Sequence, residues 1–146
     1  MFFLVHFYIT ILKYFKKILV IIQRSNGDVF LSSPLIKALN DKYESPQIDL
    51  LVNDDTISIA KLIPNINNIY TFSYRAKQDN KWRQEKNILS SLFNKYELCI
   101  NLTSSDRSVF YALIAGKKTI SAVENNYKKS WWKKIFLTHY YHFDSS

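Results

Sequence analysis

Residues 17–42 read KILVIIQRSNGDVFLSSPLIKALNDK, and this stretch predicts a buried strand, a sharp turn and an amphipathic helix. The run from Ile18 to Ile22 is unbroken and aliphatic, which is typical of a strand covered on both faces of a parallel sheet. Gly27 is expected to adopt a backbone conformation closed to other residues and to let the chain reverse tightly. Asp28 follows at the start of the helix, at the carboxyl edge of the sheet, where open α/β folds bind ligands.

Two interpretations of Asp28 follow from its position. It is either the N-cap of the helix, since aspartate is a preferred cap, or a general base at the mouth of a cleft. A capping carboxylate has a lowered pKa and is a weaker base, although the two roles can coexist. Pro34 leaves the start of the helix open: the regular helix either begins near Ser33, or it begins by Asp28 and kinks at the proline. Ser32 and Ser33 then offer hydroxyl groups near the same edge, as ligand contacts or as caps.

The rest of the chain alternates strands with helices, which predicts an α/β fold with a doubly wound, mainly parallel, Rossmann-like sheet. Gly116 is expected to end a helix, and the polar residues 74–86 to form a basic loop before a helix with Ile88, Leu89, Leu92 and Phe93 inward. The four further strands are predicted at residues 47–52, 67–73, 96–102 and 117–123.

The composition points to an anionic partner without identifying it. The chain has 146 residues and a formal net charge of +8, which suits nucleic acid, a phosphorylated glycan or an acidic membrane. Its two glycines lie too far apart for a G-x-G-x-x-G fingerprint, and no Walker A sequence occurs. Cys99 is expected to be a buried strand residue. His139 and His142 could share a helix face, but nothing nearby completes a zinc site, so no metal is expected.

Two apolar segments raise the question of a membrane surface. Residues 1–12, MFFLVHFYITIL, are too short to span a bilayer, which takes roughly 20 residues. With the lysines that follow, the segment 1–16 is expected either to lie in a membrane interface or to pack against the domain. A helix is also expected to carry Trp131, Trp132, Ile135 and Phe136, with Lys128, Lys129, Lys133 and Lys134 beside them. It is open to the same two interpretations: core packing or a patch that faces the membrane.

The segment RSNGDVFLSSPLIKAL (24–39) resembles the opening of the lipopolysaccharide heptosyltransferases, glycosyltransferase family 9. The resemblance rests on the combination of a strand, R-x-x-G-D, S-P and A-L at matching distances. It continues through QIDLLV (47–52), YELCINLTSSDRS (96–108) and AGKKTIS (115–121) and covers roughly residues 17–142. The arginine placement and KKSWWKK (128–134) are more similar to the third heptosyltransferase type than to the first two.

The resemblance implies the N-terminal, acceptor-side half of a GT-B enzyme that transfers heptose from ADP-heptose to the lipopolysaccharide inner core, with inversion and without a metal or other cofactor. The enzyme would act at the cytoplasmic face of the inner membrane of a Gram-negative bacterium, peripherally bound to its anionic surface. Asp28 matches the family's general base. The matching acceptor-binding residues are Arg24, Gly27, Ser32, Ser33 and Arg107.

Three departures from the family pattern bear on this expectation. Asn101 stands where the family commonly has aspartate, and Ser121 stands where it usually has glycine. The sequence also stops where the second, nucleotide-sugar domain is expected, so residues 17–146 are interpreted as one acceptor-side domain, inactive alone or completed by a partner chain. The alternative function is a non-catalytic remnant that binds an anionic glycolipid or a partner. A nucleic-acid binder rests on charge alone and is not favoured.

Overall fold

The computed structural model describes residues 14–125 and 127–143, and within them six strands form one sheet. The strands are β1 Lys17–Ile22, β2 Gln47–Asn53, β3 Asn68–Phe72, β4 Tyr96–Asn101, β5 Gly116–Glu124 and β6 His139–Phe143. Their order across the sheet is β3-β2-β1-β4-β5-β6, and every neighbouring pair is parallel. This order is that of a doubly wound α/β domain and confirms the predicted fold class. The apolar residues 1–13 lie outside the described residues.

Helices connect the strands. They are α1 Asn26–Leu31, α2 Ser33–Lys42, α3 Ile57–Ala60, α4 Tyr74–Leu92, α5 Asp106–Ala115 and α6 Tyr127–Phe136, with a 3-10 turn at Asp54–Thr56. The helical region after β1 is thus two helices that meet at Ser32, so each alternative for Pro34 is correct in part. The first helix begins before Asp28. Pro34 lies in the first turn of α2, where a backbone N–H has no intrahelical acceptor, so proline loses no hydrogen bond there.

The two faces of the sheet are covered by different helices. Ile18, Val20 and Ile22 pack with residues of α1, α2 and α3, whereas Leu19 and Ile21 pack with residues of α4 and α5. Side chains of a strand alternate between the faces of a sheet, so one aliphatic run supplies both cores. All five of these β1 residues are at most 1% exposed, as the unbroken pattern predicted.

A buried carboxylate ties the amino ends of the strands together. The side chain of Asp49 on β2 accepts hydrogen bonds from the Tyr96 hydroxyl at 2.6 Å, from Gln47 at 3.1 Å, and from the backbone N–H and side-chain amide of Asn68, both at 3.1 Å. Asp49 is fully buried. Buried charges are tolerated when hydrogen bonds satisfy them, and this group links β2, β3 and β4 at the edge opposite the candidate site.

Two sequence predictions in the second half of the chain are wrong. The predicted basic loop 74–86 is helical: Ser73 caps α4 by accepting from the Ala76 N–H at 3.2 Å, and the backbone departs from helical geometry at Asn80. Phe93 is 71% exposed instead of inward, although Ile88 and Leu92 are buried as predicted.

The histidine pair predicted on a helix lies on a strand. His139 and His142 belong to β6, which was not predicted. Residues three apart on a strand point to opposite faces, so the two imidazoles do not share one. The aromatic sequence between them is equally compatible with helix and strand, and pairing of β6 with β5 decides the outcome.

Gly116 follows the last helical residue of α5, as predicted, but in an extended conformation with φ −107° and ψ 138°. A left-handed cap is therefore not the reason for glycine here. A Cβ at this position would lie 2.7 Å from Cβ of Cys99, a buried residue of β4 as the sequence predicted. The glycine permits the close approach of β4 and β5.

Candidate acceptor site

The strand order of the sheet changes direction between β1 and β4, and open α/β sheets have a crevice outside the carboxyl ends of the strands at such a point. The loop after β1 leads into α1, and the loop after β4 leads into α5. The Gln23 N–H donates to Thr103 Oγ1 at 2.9 Å, and the Leu102 N–H donates to the Ile21 carbonyl at 2.9 Å, so the two loops are fixed to each other. Open α/β folds bind ligands at such a point, and the candidate site lies here.

Asp28 lies in the first turn of α1, beside the residue that caps this helix. Ser25 is the N-cap: its Oγ accepts from the Asp28 N–H at 3.4 Å, and its hydroxyl donates to Asp28 Oδ2 at 2.7 Å. The interpretation of Asp28 as the N-cap is therefore wrong, because α1 begins at Asn26. A serine three residues before an acidic residue is the pattern of a capping box, and it could have identified Ser25 from the sequence.

Arg24 and Asp28, both predicted site residues, are brought together by the structure. Arg24 Nε lies 3.2 Å from Asp28 Oδ2, and the side chains are 34% and 37% exposed. Burial alone would raise the pKa of the Asp28 carboxyl, but the hydrogen bonds from Ser25 and Arg24 and the charge of Arg24 outweigh it and lower that pKa. The carboxylate is therefore ionised at neutral pH and reachable from solvent.

This pair offers two chemical functions at one place. An ionised carboxylate can accept a proton from a hydroxyl that is attacking another centre. A guanidinium group suits phosphate and carboxylate groups, to which it can donate two parallel hydrogen bonds. A phosphorylated, polyhydroxylated ligand would find both.

Gly27 does not have the conformation that the sequence predicted. It is the second residue of α1 and has no positive φ, so it does not make a sharp turn. A Cβ on Gly27 would meet only Ser25 Oγ, at 3.8 Å, which is ordinary contact. Glycine is thus not required here by the backbone or by neighbouring atoms. Its effect is to leave open space beside Asp28.

The two predicted serine contacts differ in their access to a ligand. Ser32 is fully buried, and its hydroxyl donates to the Val29 carbonyl at 2.6 Å. The prediction of Ser32 as an acceptor-binding hydroxyl is corrected, because its side chain has no surface that a ligand can touch. Ser33 is partly exposed and donates to the Phe30 carbonyl at 2.6 Å. Neither hydroxyl caps α2; both bond back to carbonyl groups of α1.

Arg107 lies at the same edge of the sheet but belongs to a different group of side chains. Its Nε is 3.3 Å from Glu85 Oε1, and its guanidinium lies over the rings of Phe72 and Tyr74, at 4.5 Å and 5.9 Å from their centroids. Its neighbours Phe72 and Tyr111 belong to the core on the α4 and α5 side, whereas Val29 of α1 packs on the other face. Arg107 and Asp28 therefore approach the crevice from opposite faces.

The loop after β4 is held by Asn101. Its side-chain amide donates to the hydroxyls of Ser108 and Ser121, at 3.0 Å and 2.9 Å, and its Oδ1 accepts from the Thr103 N–H at 3.0 Å. Asn101 and Ser121, the two departures from the family pattern, are thus bonded to each other. Ser105 caps α5 by accepting from the Ser108 N–H at 3.2 Å.

The described part of the chain contains no cluster of three or more histidine, cysteine, aspartate or glutamate side chains that could hold a metal ion. Burial raises the pKa of the Cys99 thiol, which does not favour a nucleophilic thiolate. Among the helices of residues 14–125 and 127–143, none is long and apolar enough to cross a membrane.

Comparisons with known proteins relate the sequence to one enzyme family. No protein-family model matches the chain. It is 32% identical over 117 residues to lipopolysaccharide heptosyltransferase 3 of Escherichia coli, and 32% identical over 119 residues to the protein of that name from strain K12. Each match covers 78% of this chain and 34% of the relative, so the chain spans about a third of the length of these curated relatives.

Solved structures show the same fold. A glycosyl transferase family 9 protein from Veillonella parvula aligns with a TM-score of 0.73 at 19% identity, over 91% of this chain and 37% of that one. The ADP-heptose lipopolysaccharide heptosyltransferase II of E. coli aligns with a TM-score of 0.62 at 18% identity, over 88% of this chain and 35% of that one.

The parallel sheet and its strand order define the class of protein: a Rossmann-like domain of the kind found in GT-B glycosyltransferases. Within this class, the matches to curated sequences point to one family. The chain is similar to the lipopolysaccharide heptosyltransferases, glycosyltransferase family 9, and its curated matches are of the third type, as the arginine placement and KKSWWKK indicated.

Proposed function

We propose that this chain is the acceptor-side domain of a lipopolysaccharide heptosyltransferase and that Asp28 is its general base. The observation that supports this most directly is the position of Asp28, ionised and 37% exposed, beside Arg24 at the first strand-helix crossover. The family implies ADP-heptose as the donor, bound mainly by a second α/β domain, and the inner core of lipopolysaccharide as the acceptor. The domain would work at the cytoplasmic face of the inner membrane.

In the proposed reaction, an acceptor hydroxyl attacks the anomeric carbon of heptose from the face opposite the nucleotide. A carbon–oxygen bond forms, the bond to the diphosphate breaks, and ADP leaves with the electron pair. Asp28 takes the proton that the hydroxyl loses. Arg24 holds an acidic group of the acceptor, a phosphate or a Kdo carboxylate, next to the base. No metal has a role in this scheme.

The proposal is tested by supplying the donor side. The full chain is joined to the remaining part of E. coli heptosyltransferase 3, and ADP release is followed with ADP-heptose and lipopolysaccharide core. We expect Asp28→Asn to lower kcat by about 10²-fold or more while binding of the core oligosaccharide is retained. Asp55→Asn, an exposed aspartate after β2, is the matched control and should leave kcat unchanged.

The same experiment distinguishes the alternative, a non-catalytic module that binds an anionic glycolipid. An active fusion in which Asp28→Asn has no effect on kcat would remove Asp28 from the chemistry. Binding of core oligosaccharide by the unfused chain should weaken as salt is added, because the contacts are ionic, and DNA should not compete. Competition by DNA would favour a general polyanion surface instead.

A further inference from the structure

Helix α6 has an arrangement of side chains opposite to that of an ordinary surface helix. Its polar residues Ser130 and Lys133 are fully buried, whereas Trp131, Ile135 and Phe136 are 52%, 66% and 67% exposed. A surface helix normally turns its apolar stripe to the core and its charges to water. A buried polar residue and an exposed group of large apolar residues are each informative, because both are unfavourable without a partner.

The buried side of α6 fixes the helix to the edge that carries the candidate site. Lys133 Nζ donates to the Ser104 carbonyl at 2.7 Å and lies 2.8 Å from Asp106 Oδ1. Ser104 lies in the turn between β4 and α5, and Asp106 is the first residue of α5. Trp132, next to Lys133, packs against the small core formed by Val109, Val123 and Leu137. The interpretation of the segment 131–136 as core therefore holds for Trp132.

The outer side of α6 combines apolar and cationic groups. Trp131 and Ile135 are one turn apart, and residues at this spacing lie on the same side of a helix. Lys128 precedes Trp131 by three residues and is exposed, and Lys134 lies 5.3 Å from the ring centroid of Tyr140, itself 36% exposed. The sequence of α6 contains no acidic residue that would oppose the charge of Lys128 and Lys134. We call Lys128, Trp131, Ile135 and Phe136 the outer face of α6.

We propose that the outer face of α6 docks on an anionic lipid bilayer. Aromatic and aliphatic side chains that insert at the headgroup level, with lysines beside them, match the chemistry of an anionic membrane interface. The positive charge of the outer face complements that surface, and the net charge of +8 acts in the same direction. Because Lys133 fastens α6 beside the β4 loop, docking would hold the crevice near the lipid surface.

The test measures partition of the full chain onto vesicles, which is independent of transfer activity. We expect binding to vesicles of equimolar phosphatidylcholine and phosphatidylglycerol but not to phosphatidylcholine alone. The variant Trp131→Ser/Phe136→Ser should bind at least about tenfold more weakly. Lys128→Glu should weaken binding by about fivefold or more, since each cation near an anionic surface contributes about 1 kcal/mol.

Matched controls lie on other surfaces. Trp82→Ser/Phe93→Ser removes two aromatic residues of 83% and 71% exposure around α4, and Lys117→Glu changes an exposed lysine at the opposite edge of the sheet. These variants should bind as the unchanged chain does. Equal binding to neutral vesicles, equal losses in the controls, or full binding by Trp131→Ser/Phe136→Ser would overturn the proposal.

A fluorescence measurement separates α6 from the apolar residues 1–12. The chain has three tryptophans, so Trp82→Phe/Trp132→Phe leaves Trp131 as the only one. Its emission should shift to shorter wavelength when anionic vesicles are added and should stay unchanged with neutral vesicles. Vesicle binding without this shift would assign the membrane contact to another segment and would overturn the proposal.

Discussion

Asn101 on β4 donates its side-chain amide to the hydroxyl of Ser121 on β5 at 2.9 Å, and the two residues are register partners in the sheet. A substitution at one of these positions is therefore expected to change the effect of a substitution at the other. The resemblance to the heptosyltransferases implies aspartate and glycine at these positions, so the two residues of this chain that depart from the expected pattern contact each other. Both side chains are fully buried, where an unsatisfied polar atom is costly.

Asn101→Asp is expected to lower the free energy of unfolding by about 1–3 kcal/mol. The new carboxylate cannot donate, and the Ser121 hydroxyl already donates to the Ala122 carbonyl at 2.9 Å. Adding Ser121→Gly should recover part of the loss, with a coupling energy of about 1 kcal/mol. Urea denaturation of the two single variants and the double variant measures this energy. Strict additivity would show that the contact does not link the two positions.

Arg24→Gln should shift the pH dependence of transfer in a fused, active enzyme. Arg24 lowers the pKa of the Asp28 carboxyl, so its removal raises that pKa, and the acidic limb of the kcat profile should move to higher pH. The same ion pair makes the free energy of unfolding depend on pH. Its contribution is fully present above the pKa of Asp28 in the unfolded chain, about 3.9, and is lost as pH falls through the lowered pKa of Asp28 in the folded chain. The variant should also raise KM for the acceptor.

Arg75→Gln, an exposed arginine after β3, is the control for Arg24 and should change neither the acidic limb nor KM. An acidic limb that stays in place in Arg24→Gln would mean that another group titrates there, and Asp28 would no longer account for the pH dependence.

Opposite effects are expected at the two glycines. Gly27→Ala should leave stability unchanged or raise it by up to about 1 kcal/mol, because its Cβ meets nothing closer than 3.8 Å and alanine favours helix. Gly116→Ala should lower stability by about 1–3 kcal/mol, because its Cβ would overlap Cys99. Thermal unfolding of both variants measures these effects.

Acceptor binding adds a second comparison for Gly27. If the acceptor approaches α1 beside Asp28, a Cβ on Gly27 should weaken binding of the core oligosaccharide although the fold is intact. Unchanged binding by Gly27→Ala would remove Gly27 from the acceptor site.

Tyr96→Phe should lower the free energy of unfolding by about 1.5–3 kcal/mol, because it removes a buried hydrogen bond to the Asp49 carboxylate. Transfer by the fused enzyme should be unaffected below the unfolding temperature, since this group lies at the edge opposite the crevice. Tyr140→Phe, on a half-exposed side chain, is the control. A stability loss no larger than in Tyr140→Phe would contradict the assigned role of the Asp49 group.

The predictions that rested on unbroken aliphatic runs and on the alternation of strands with helices were confirmed. The aliphatic run of β1 and the alternation of strands with helices are local patterns, and both the parallel sheet and the buried position of Cys99 followed from them. Errors arose where polarity was taken as a sign of loop. Residues 74–86 are polar and yet helical, because a helix on the surface requires only a narrow apolar stripe.

The sequence by itself determined the α/β fold, the resemblance to the heptosyltransferases, and the presence of Arg24 and Asp28 four residues apart at the first crossover. Only the tertiary structure decided that Arg107 pairs with Glu85, that Asn101 bonds to Ser121, and that Lys133 lies on the buried side of α6 while Trp131 lies on the exposed side. The physical reason is that most of these contacts join segments far apart in the chain. Local periodicity records which side of an element is apolar, but a polar side chain can be buried wherever a distant group satisfies it.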